Sequence, residues 1–232
     1  MQVTLLTHTP NPEEIVASAA KLCYSPAAIS DISESLTPEK TAKFITKLFA
    51  LGHESPFEHA VFTFGIEGVS RTLTHQLVRH RMASYSQQSQ RYVDGENFDI
   101  ITPDSIKGDE KALEEFEKAI REAQESYQKL SKLGVPKEDA RFVLPNASDT
   151  RIIMTVNARS LFNFFKHRCC FRAQWEIKAL ADEMLRLVKQ AAPSIFEFAG
   201  PSCLKGKCPE GAMTCGKMAQ MKAEYLGEGA NA

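Results

Sequence analysis

Apolar residues recur along this chain with two different periods. A helical period is clearest in residues 109–133, where charged residues separate Leu113, Phe116, Ile120, Tyr127 and Leu130. Three short runs are instead rich in β-branched and aromatic residues and are predicted to be strands: residues 1–7, 59–66 (HAVFTFGI) and 151–156 (RIIMTV). The pattern therefore predicts a chain that contains both helices and short strands.

Two helices are predicted from their start signals. Asn11 and Thr37 each precede a proline and an acidic residue, which is typical of a capped helix N-terminus. The first helix is expected to end near Cys23, and the second, with an apolar stripe of Phe44, Leu48 and Leu51, at Gly52. The small, polar residues 25–35 between them are predicted to form a loop.

Further helices are expected through Leu73, Gln76 and Leu77, and over residues 136–144, 158–167 and 174–190. The composition changes after Pro193, and residues 200–217 are rich in Gly, Pro and Cys. We therefore expect one domain over residues 1–200 and a Cys/Gly-rich C-terminal segment over residues 201–232, outside the core.

Composition narrows the class of protein. The 232 residues are 43% hydrophobic and 25% charged, as in an ordinary globular protein with one core. The formal net charge is −1, which argues against a general nucleic-acid binder. The sequence has neither a run of about 20 apolar residues nor a signal-like start, so no membrane association and a cytoplasmic location are expected. The six cysteines are then expected to be reduced thiols.

The most unusual passage is residues 79–92 (RHRMASYSQQSQRY). Its arginines can donate several coplanar hydrogen bonds to phosphates or carbonyl-rich rings, and Ser and Gln can read the edge of a base. Composition alone fits a solvated surface loop equally well. A second polar pattern lies in residues 157–168, where Arg159 and Asn163 would share one face of a helix. His53, Glu58 and His59 do not follow a recognisable metal-ligand spacing.

These passages together resemble the flavin-dependent thymidylate synthase family. The run from Arg79 to Ser89 has the family's signature, which is Arg-His-Arg followed by seven residues and a serine. Four more blocks, GHESPFEH, RFVLPN, TVNARSLFNF and AQWEI, follow the family's order over residues 50–178. The resemblance implies the family's α+β fold, in which helices surround a small mixed or antiparallel sheet, and it makes residues 1–200 a single catalytic domain. The sequence lacks the Gly-x-Gly-x-x-Gly motif of a Rossmann dinucleotide site, so the fold is expected to be non-Rossmann.

The resemblance also implies the ligands and their residues. The FAD site is expected to use Ser55, Glu58, Arg79, His80, Arg81, Gln87, Asn157, Arg159 and Asn163, and no metal ligand is expected. The dUMP site is expected to use Gln76, Arg79, Gln87, Gln88, Ser89, Gln90, Arg91, Arg141 and Arg168. His53 would lie towards the folate. The family further implies a homotetramer whose active sites are shared between subunits.

The implied reaction is the reductive methylation of dUMP to dTMP. Methylenetetrahydrofolate would supply the carbon and FADH2 the hydride, with NADPH reducing the flavin. The resemblance implies a reaction without a cysteine nucleophile, in which Arg168 stabilises negative charge on the pyrimidine. Ser89 is interpreted as a binding residue, because the sequence shows no adjacent base to activate it.

The cysteines leave two alternatives open. Cys169 and Cys170 fall outside the family's motif and are interpreted as small buried residues. Cys203, Cys208 and Cys215 could bind zinc with a fourth ligand, or remain free thiols. A zinc or redox module centred on this segment, and an RNA-binding protein that uses the Arg–Gln passage, are the competing functions.

Overall fold

The structure is a computed structural model that describes residues 1–93 and 98–227. The last five residues of the predicted C-terminal segment therefore lie outside the described part. The chain divides into two compact units. The first unit comprises Met1–Gln2, Ile66–Arg79 and Tyr85–Ile153, and the second comprises Val3–Gly65, His80–Ser84 and the residues from Met154 onwards.

Four strands form one antiparallel sheet in the order β1-β2-β4-β3. Their bounds are Gln2–His8 for β1, Val61–Ser70 for β2, Ala83–Gln87 for β3 and Asp149–Asn157 for β4. The predicted α+β class, the small sheet and three of the strands are thus confirmed. Strand β3 was not predicted, because its sequence (ASYSQ) has small and polar residues where strands usually carry branched or aromatic ones.

Helices make up most of the rest of the described chain. The first five are α1 (Pro12–Leu22), α2 (Ile29–Glu34), α3 (Pro38–Ala50), α4 (Arg71–Leu77) and α5 (Asp104–Lys107). The others are α6 (Glu110–Lys132), α7 (Lys137–Ala140), α8 (Ala158–Arg168), α9 (Trp175–Ala191), α10 (Pro193–Phe196) and α11 (Met218–Leu226). Short 3-10 helices span Ser55–His59, Arg141–Val143, Ser202–Lys205 and Gly211–Met213.

Several local predictions were wrong. The expected loop at residues 25–35 contains α2, whose Ile32 is buried. Asn11 adopts a left-handed conformation (φ 46°), and its side chain makes no capping hydrogen bond. The buried positions of α3 are Thr41, Ile45 and Leu48, whereas Leu51 is 58% exposed.

Two further boundaries differ from the sequence prediction. His59 ends a 3-10 helix instead of beginning β2, because Pro56 favours a turn before the strand. The single helix expected over residues 136–144 is α7 followed by a 3-10 turn. The local chain direction therefore changes just before the RFVLPN block ends.

The core of the second unit is aromatic. Phe57, Phe62, Phe162, Phe165 and Phe196 are almost fully buried, and neighbouring rings meet edge-on with centroids 5.2–6.1 Å apart. Along α9, every turn adds a buried residue from Ile177 to Val188. This packing fixes the orientation of α8, so that its polar residues lie on the exposed face.

The C-terminal segment is more closely packed than expected. Cys203, Leu204 and Met221 are buried, so the prediction that this segment lies outside the core is wrong for these residues. The hydroxyl of Tyr225 donates a hydrogen bond to Asp182, and it lies 3.3 Å from the carbonyl oxygen of Cys169. Helix α11 is thereby attached to α9 and to the end of α8.

Candidate active site

The N-terminal end of α8 presents the expected flavin residues of the second unit. Asn157 caps the helix by accepting a hydrogen bond from the backbone N–H of Ser160 at 2.9 Å. Arg159 and Asn163 follow on one exposed face, as their spacing predicts. Because Leu161, Phe162, Phe164 and Phe165 are buried, this polar face is fixed in direction.

Arg159 is held by two carboxylates. Its guanidinium donates a hydrogen bond to Glu58 and lies 3.7 Å from Glu54. The hydrogen bond to Glu58 is the main cause that raises the pKa of Arg159. Arg159 also lines a cavity of about 370 Å³ with His53 and Ser55. Three residues that the sequence assigned to cofactor or folate binding therefore share one cavity.

His80 packs at the opposite part of α8. Its ring meets Phe164 edge-on, with centroids 5.5 Å apart. Burial lowers the pKa of His80, and the positive charges of Arg168 and His167 lower it further. The imidazole is therefore kept neutral near pH 7. Arg81, one residue beyond, is exposed.

Arg168 ends α8. It is half-buried and lines a cavity of about 490 Å³ together with His167 and Cys170. Within residues 1–93 and 98–227, Arg168 has no carboxylate within ion-pair distance. Its guanidinium donors are therefore available to a ligand.

The first unit contains the signature residues that follow β3. The Gln87 amide nitrogen donates to the hydroxyls of Thr74 (2.9 Å) and Thr150 (3.4 Å). Gln88 extends the pairing by donating its backbone N–H to the Arg151 carbonyl at 2.9 Å. Gln88, Ser89 and Gln90 then line a cavity of about 150 Å³. The segment that composition could not distinguish from a surface loop is thus anchored to β4.

Ser89 makes a local hydrogen bond. Its hydroxyl oxygen accepts a hydrogen bond from the backbone N–H of Arg91 at 3.2 Å. Among the residues the structure describes, its hydroxyl has no hydrogen bond to a histidine, lysine or carboxylate. A serine without a neighbouring base is a weak nucleophile.

The remaining expected nucleotide residues of the first unit are arginines and a glutamine. Arg91 forms a 2.8 Å ion pair with Glu138, and Arg141 donates to the Glu138 carbonyl at 3.0 Å. Arg79 is exposed just after α4, and Gln76 is half-buried within it. Glu138 therefore connects two of the arginines that the sequence assigned to dUMP.

Sequence reasoning missed several residues of this region. Thr74 and Thr150 orient Gln87, and Asp149 lines the same cavity as Ser89. Burial is the main cause that raises the pKa of Asp149. Without knowledge of β3, the sequence carried no signal that these residues meet. Arg71 was missed as well: burial and the charge of Arg141 lower its pKa.

The cysteines of the described chain are all free thiols. Cys169 is fully buried, as expected, and burial raises its pKa. Cys170 is only half-buried, so the expectation of a buried residue is wrong there. It lines the 490 Å³ cavity with Cys203, Cys208 and Cys215. Across residues 1–93 and 98–227, no helix is long and apolar enough to cross a membrane.

Comparisons with known proteins show the family of this chain. The profile of the family described as "Thymidylate synthase complementing protein" matches residues 4–194. A flavin-dependent thymidylate synthase of Geobacter sulfurreducens is 57% identical, covering 96% of this chain and 97% of that protein. Proteins with the same name from Clostridium tetani (53%, 97% of each chain) and Pyrococcus furiosus (43%, 90% of each chain) are also similar. The chain therefore belongs to the flavin-dependent thymidylate synthase family, as its sequence blocks predicted.

Proposed function

We propose that this chain is a thymidylate synthase that methylates dUMP reductively to dTMP. In this proposal 5,10-methylenetetrahydrofolate supplies the carbon, and NADPH reduces the flavin. Membership of the family, over nearly the full length of relatives that carry this name, supports the activity. The finer assignments rest on the residues that line one cavity in each unit.

The observation that carries the nucleotide assignment is the polar cavity of the first unit. Gln88, Ser89 and Gln90 line it beside Arg151, and two carboxylates, Asp99 and Asp149, line it as well. Amide, hydroxyl, guanidinium and carboxyl groups therefore surround a small space. These groups can pair with the donors and acceptors of a pyrimidine edge and with a phosphate. Gln87 fixes the direction of the segment through two threonines. We assign Gln76, Arg79, Arg91 and Arg141 to the same substrate.

The residues of the second unit fit FAD. Arg159, Ser55 and His53 line a cavity of about 370 Å³, within the range of about 300–1,000 Å³ typical of ligand pockets. Arg159 and Ser55 can donate hydrogen bonds to flavin carbonyls or phosphates, whereas Glu58 can accept one from a ring N–H or a hydroxyl. We assign Asn157, Asn163, His80 and Arg81 to the same cofactor. Bound and reduced, FAD supplies the hydride.

Arg168 is the residue that we propose acts on the reacting ring. Carbon 5 of uracil becomes nucleophilic when negative charge at its N3–O4 edge is stabilised, and a positioned guanidinium does this. The described structure gives Arg168 no competing carboxylate. Burial disfavours the thiolate of neighbouring Cys169, so this cysteine is a poor nucleophile. That the reaction uses no cysteine nucleophile is part of the proposal and follows from the family resemblance.

The neutral His80 complements this arrangement. An imidazole without charge can accept or donate one hydrogen bond next to a flavin without repelling the guanidinium of Arg168. We further propose a cytoplasmic homotetramer with active sites shared between subunits, and His53 on the folate side. These assignments follow from the family resemblance.

Absorption spectroscopy with product analysis tests the proposal. Purified protein should show a flavin band after addition of FAD, lose it with NADPH under anaerobic conditions, and recover it as dUMP and methylenetetrahydrofolate yield dTMP. Protein that takes up no flavin, or forms no dTMP once its flavin is reduced, contradicts the proposal.

Ser89→Ala should lower turnover without abolishing it. Complete loss with intact dUMP binding would restore Ser89 as a nucleophile.

A further inference from the structure

Four cysteines from separate elements of the second unit line one cavity of about 490 Å³. Cys170 follows α8, and Cys203 lies in the 3-10 helix Ser202–Lys205. Cys208 and Cys215 lie on either side of the 3-10 helix Gly211–Met213. The other two cysteines do not line this cavity, since Cys23 lies in α1's C-cap and Cys169 is buried beside Tyr225. Thiols are therefore concentrated at one place.

The cavity brings a fourth cysteine next to the three cysteines of the C-terminal segment. Cys203, Cys208 and Cys215 provide three sulfur ligands, and a closed zinc site needs four. Cys170 provides the fourth from a distant part of the sequence. Sulfur ligands select zinc and other thiophilic metals over magnesium or calcium.

We propose that Cys170, Cys203, Cys208 and Cys215 together bind one zinc ion as a structural site. Each coordinating thiol loses its proton to solvent, and the four thiolates leave the site with a net charge of about −2. Three cations line the same cavity, Lys166, Arg168 and Arg172, and can offset that charge. No redox step is involved.

The sulfur atoms must converge for this site to form. As they stand, no group of three or more His, Cys, Asp or Glu side chains in residues 1–93 and 98–227 is placed to hold a metal ion. The segment between the ligands contains Gly206 (φ 146°), Gly211 (φ 53°) and Gly216 (φ 71°). A Cβ atom at any of these three glycines would meet nothing within 4 Å. The backbone at these three glycines, near Cys208 and Cys215, therefore lies next to open space.

Zinc would fasten the C-terminal segment two residues beyond Arg168. Arg172 already bonds to the Met213 carbonyl and lies 3.7 Å from Glu210, so the segment has polar contacts with this region. On the other side, Tyr225 contacts the carbonyl of Cys169. The zinc site would thus complete a second attachment at the end of α8.

Thiol protection in the unmodified protein gives the first test. Full-length protein is treated with a chelator, incubated with or without zinc sulfate, alkylated, and analysed by peptide mass spectrometry. Zinc should protect Cys170, Cys203, Cys208 and Cys215, with about one bound ion per chain. Exposed Cys23 should react equally in both samples and serves as the internal control. Equal alkylation of all the cysteines with and without zinc would overturn the proposal, as would a disulfide between any two of the four.

Two variants and one control extend the test. Cys208→Ser and Cys215→Ser should each weaken zinc retention by at least ~10–100-fold, because even residues that only support ligands have effects of that size. Cys23→Ser should retain zinc like the unmodified chain. Flavin uptake and dTMP formation are measured in parallel, so that failure of the zinc site and failure of the proposed enzyme activity are separable. Unchanged zinc retention in both ligand variants contradicts the site.

Discussion

The two ends of α8 each carry an arginine, but they hold it in opposite ways. Arg159 lies in the first turn, where the helix dipole is positive, and Glu58 and Glu54 offset the repulsion. Arg168 lies in the last turn with Lys166 and His167, where the dipole favours positive charge. The positive charge of Arg159 is thus stabilised by carboxylates, whereas that of Arg168 is stabilised by the helix dipole.

This difference indicates what each arginine can do. A guanidinium bound to glutamates is fixed in direction but partly neutralised, which suits the positioning of a cofactor. A guanidinium without such partners keeps its full charge for a ligand, and its field reaches His80. The comparison therefore predicts that Arg168 affects the chemical step, whereas Arg159 affects cofactor affinity.

The largest expected effect is on turnover. Arg168→Ala should lower the rate of dTMP formation by ~10²–10³-fold, the loss typical of a donor to a developing charge. Flavin binding, followed by absorption, should persist. Wild-type turnover in Arg168→Ala would remove the distinction between the two arginines, and so would loss of flavin without a change in turnover of the loaded enzyme.

The next effect concerns cofactor affinity. Arg159→Ala should weaken FAD binding by ~10–100-fold, because it removes hydrogen bonds from a charged donor. Fluorescence titration with FAD measures the dissociation constant. Arg186→Ala is the matched control, since Arg186 is also an exposed arginine paired with a glutamate, Glu183. Equal weakening in both variants would mean that the effect is not specific to the site.

A smaller effect is expected on stability. Asn157→Ala removes the N-cap of α8 and should cost about 1 kcal/mol, which lowers Tm by roughly 2–4 °C for a chain of this size. Thermal unfolding monitored by circular dichroism measures the shift. A much larger loss would show that Asn157 also supports the core, and no loss would contradict its capping role.

The smallest effect is electrostatic. Arg168→Ala should raise the pKa of His80 towards its usual value, because it removes one of the charges that lower it, whereas Arg159→Ala should not. A titration of the imidazole by NMR separates the two ends of α8.

The lowered pKa of His80 also predicts how stability depends on pH. As pH falls, His80 takes up a proton in the unfolded chain before it does so in the folded chain, so stability is lost below about pH 6.5. Replacing His80 by Asn should reduce that pH dependence.

The sequence predicted the helices best where burial is one-sided. The stripe of α6 and the Phe-rich face of α8 have clear periods, and both helices were found within one or two residues of their predicted bounds. Strand β3 escaped prediction, because its alternation consists of small and polar residues that pack only once β4 is present. Helix α2 was missed because its six residues bury only Ile32.

The candidate site was predicted from sequence motifs and not from the apolar periods that predicted the helices and strands. The blocks singled out Arg159, which lines one cavity, and residues 88–90, which line another. Thr74, Thr150 and Glu138, which orient the residues on either side of 88–90, have ordinary local sequences and meet them only through tertiary pairing. Cys170 likewise lines one cavity with the C-terminal cysteines only in the folded chain, because it is distant from them in sequence.

The packing of α6 has a consequence for hydrogen exchange. Of its 23 residues only Tyr127 is buried, and its apolar stripe is otherwise half-exposed. Helix α9 buries seven of its 17 residues. Local opening therefore exposes little new apolar surface in α6 and much more in α9. The amides of α6 should therefore exchange with deuterated solvent while those of α9 are still protected. The longest helix of the described chain would then be among the first helices to open.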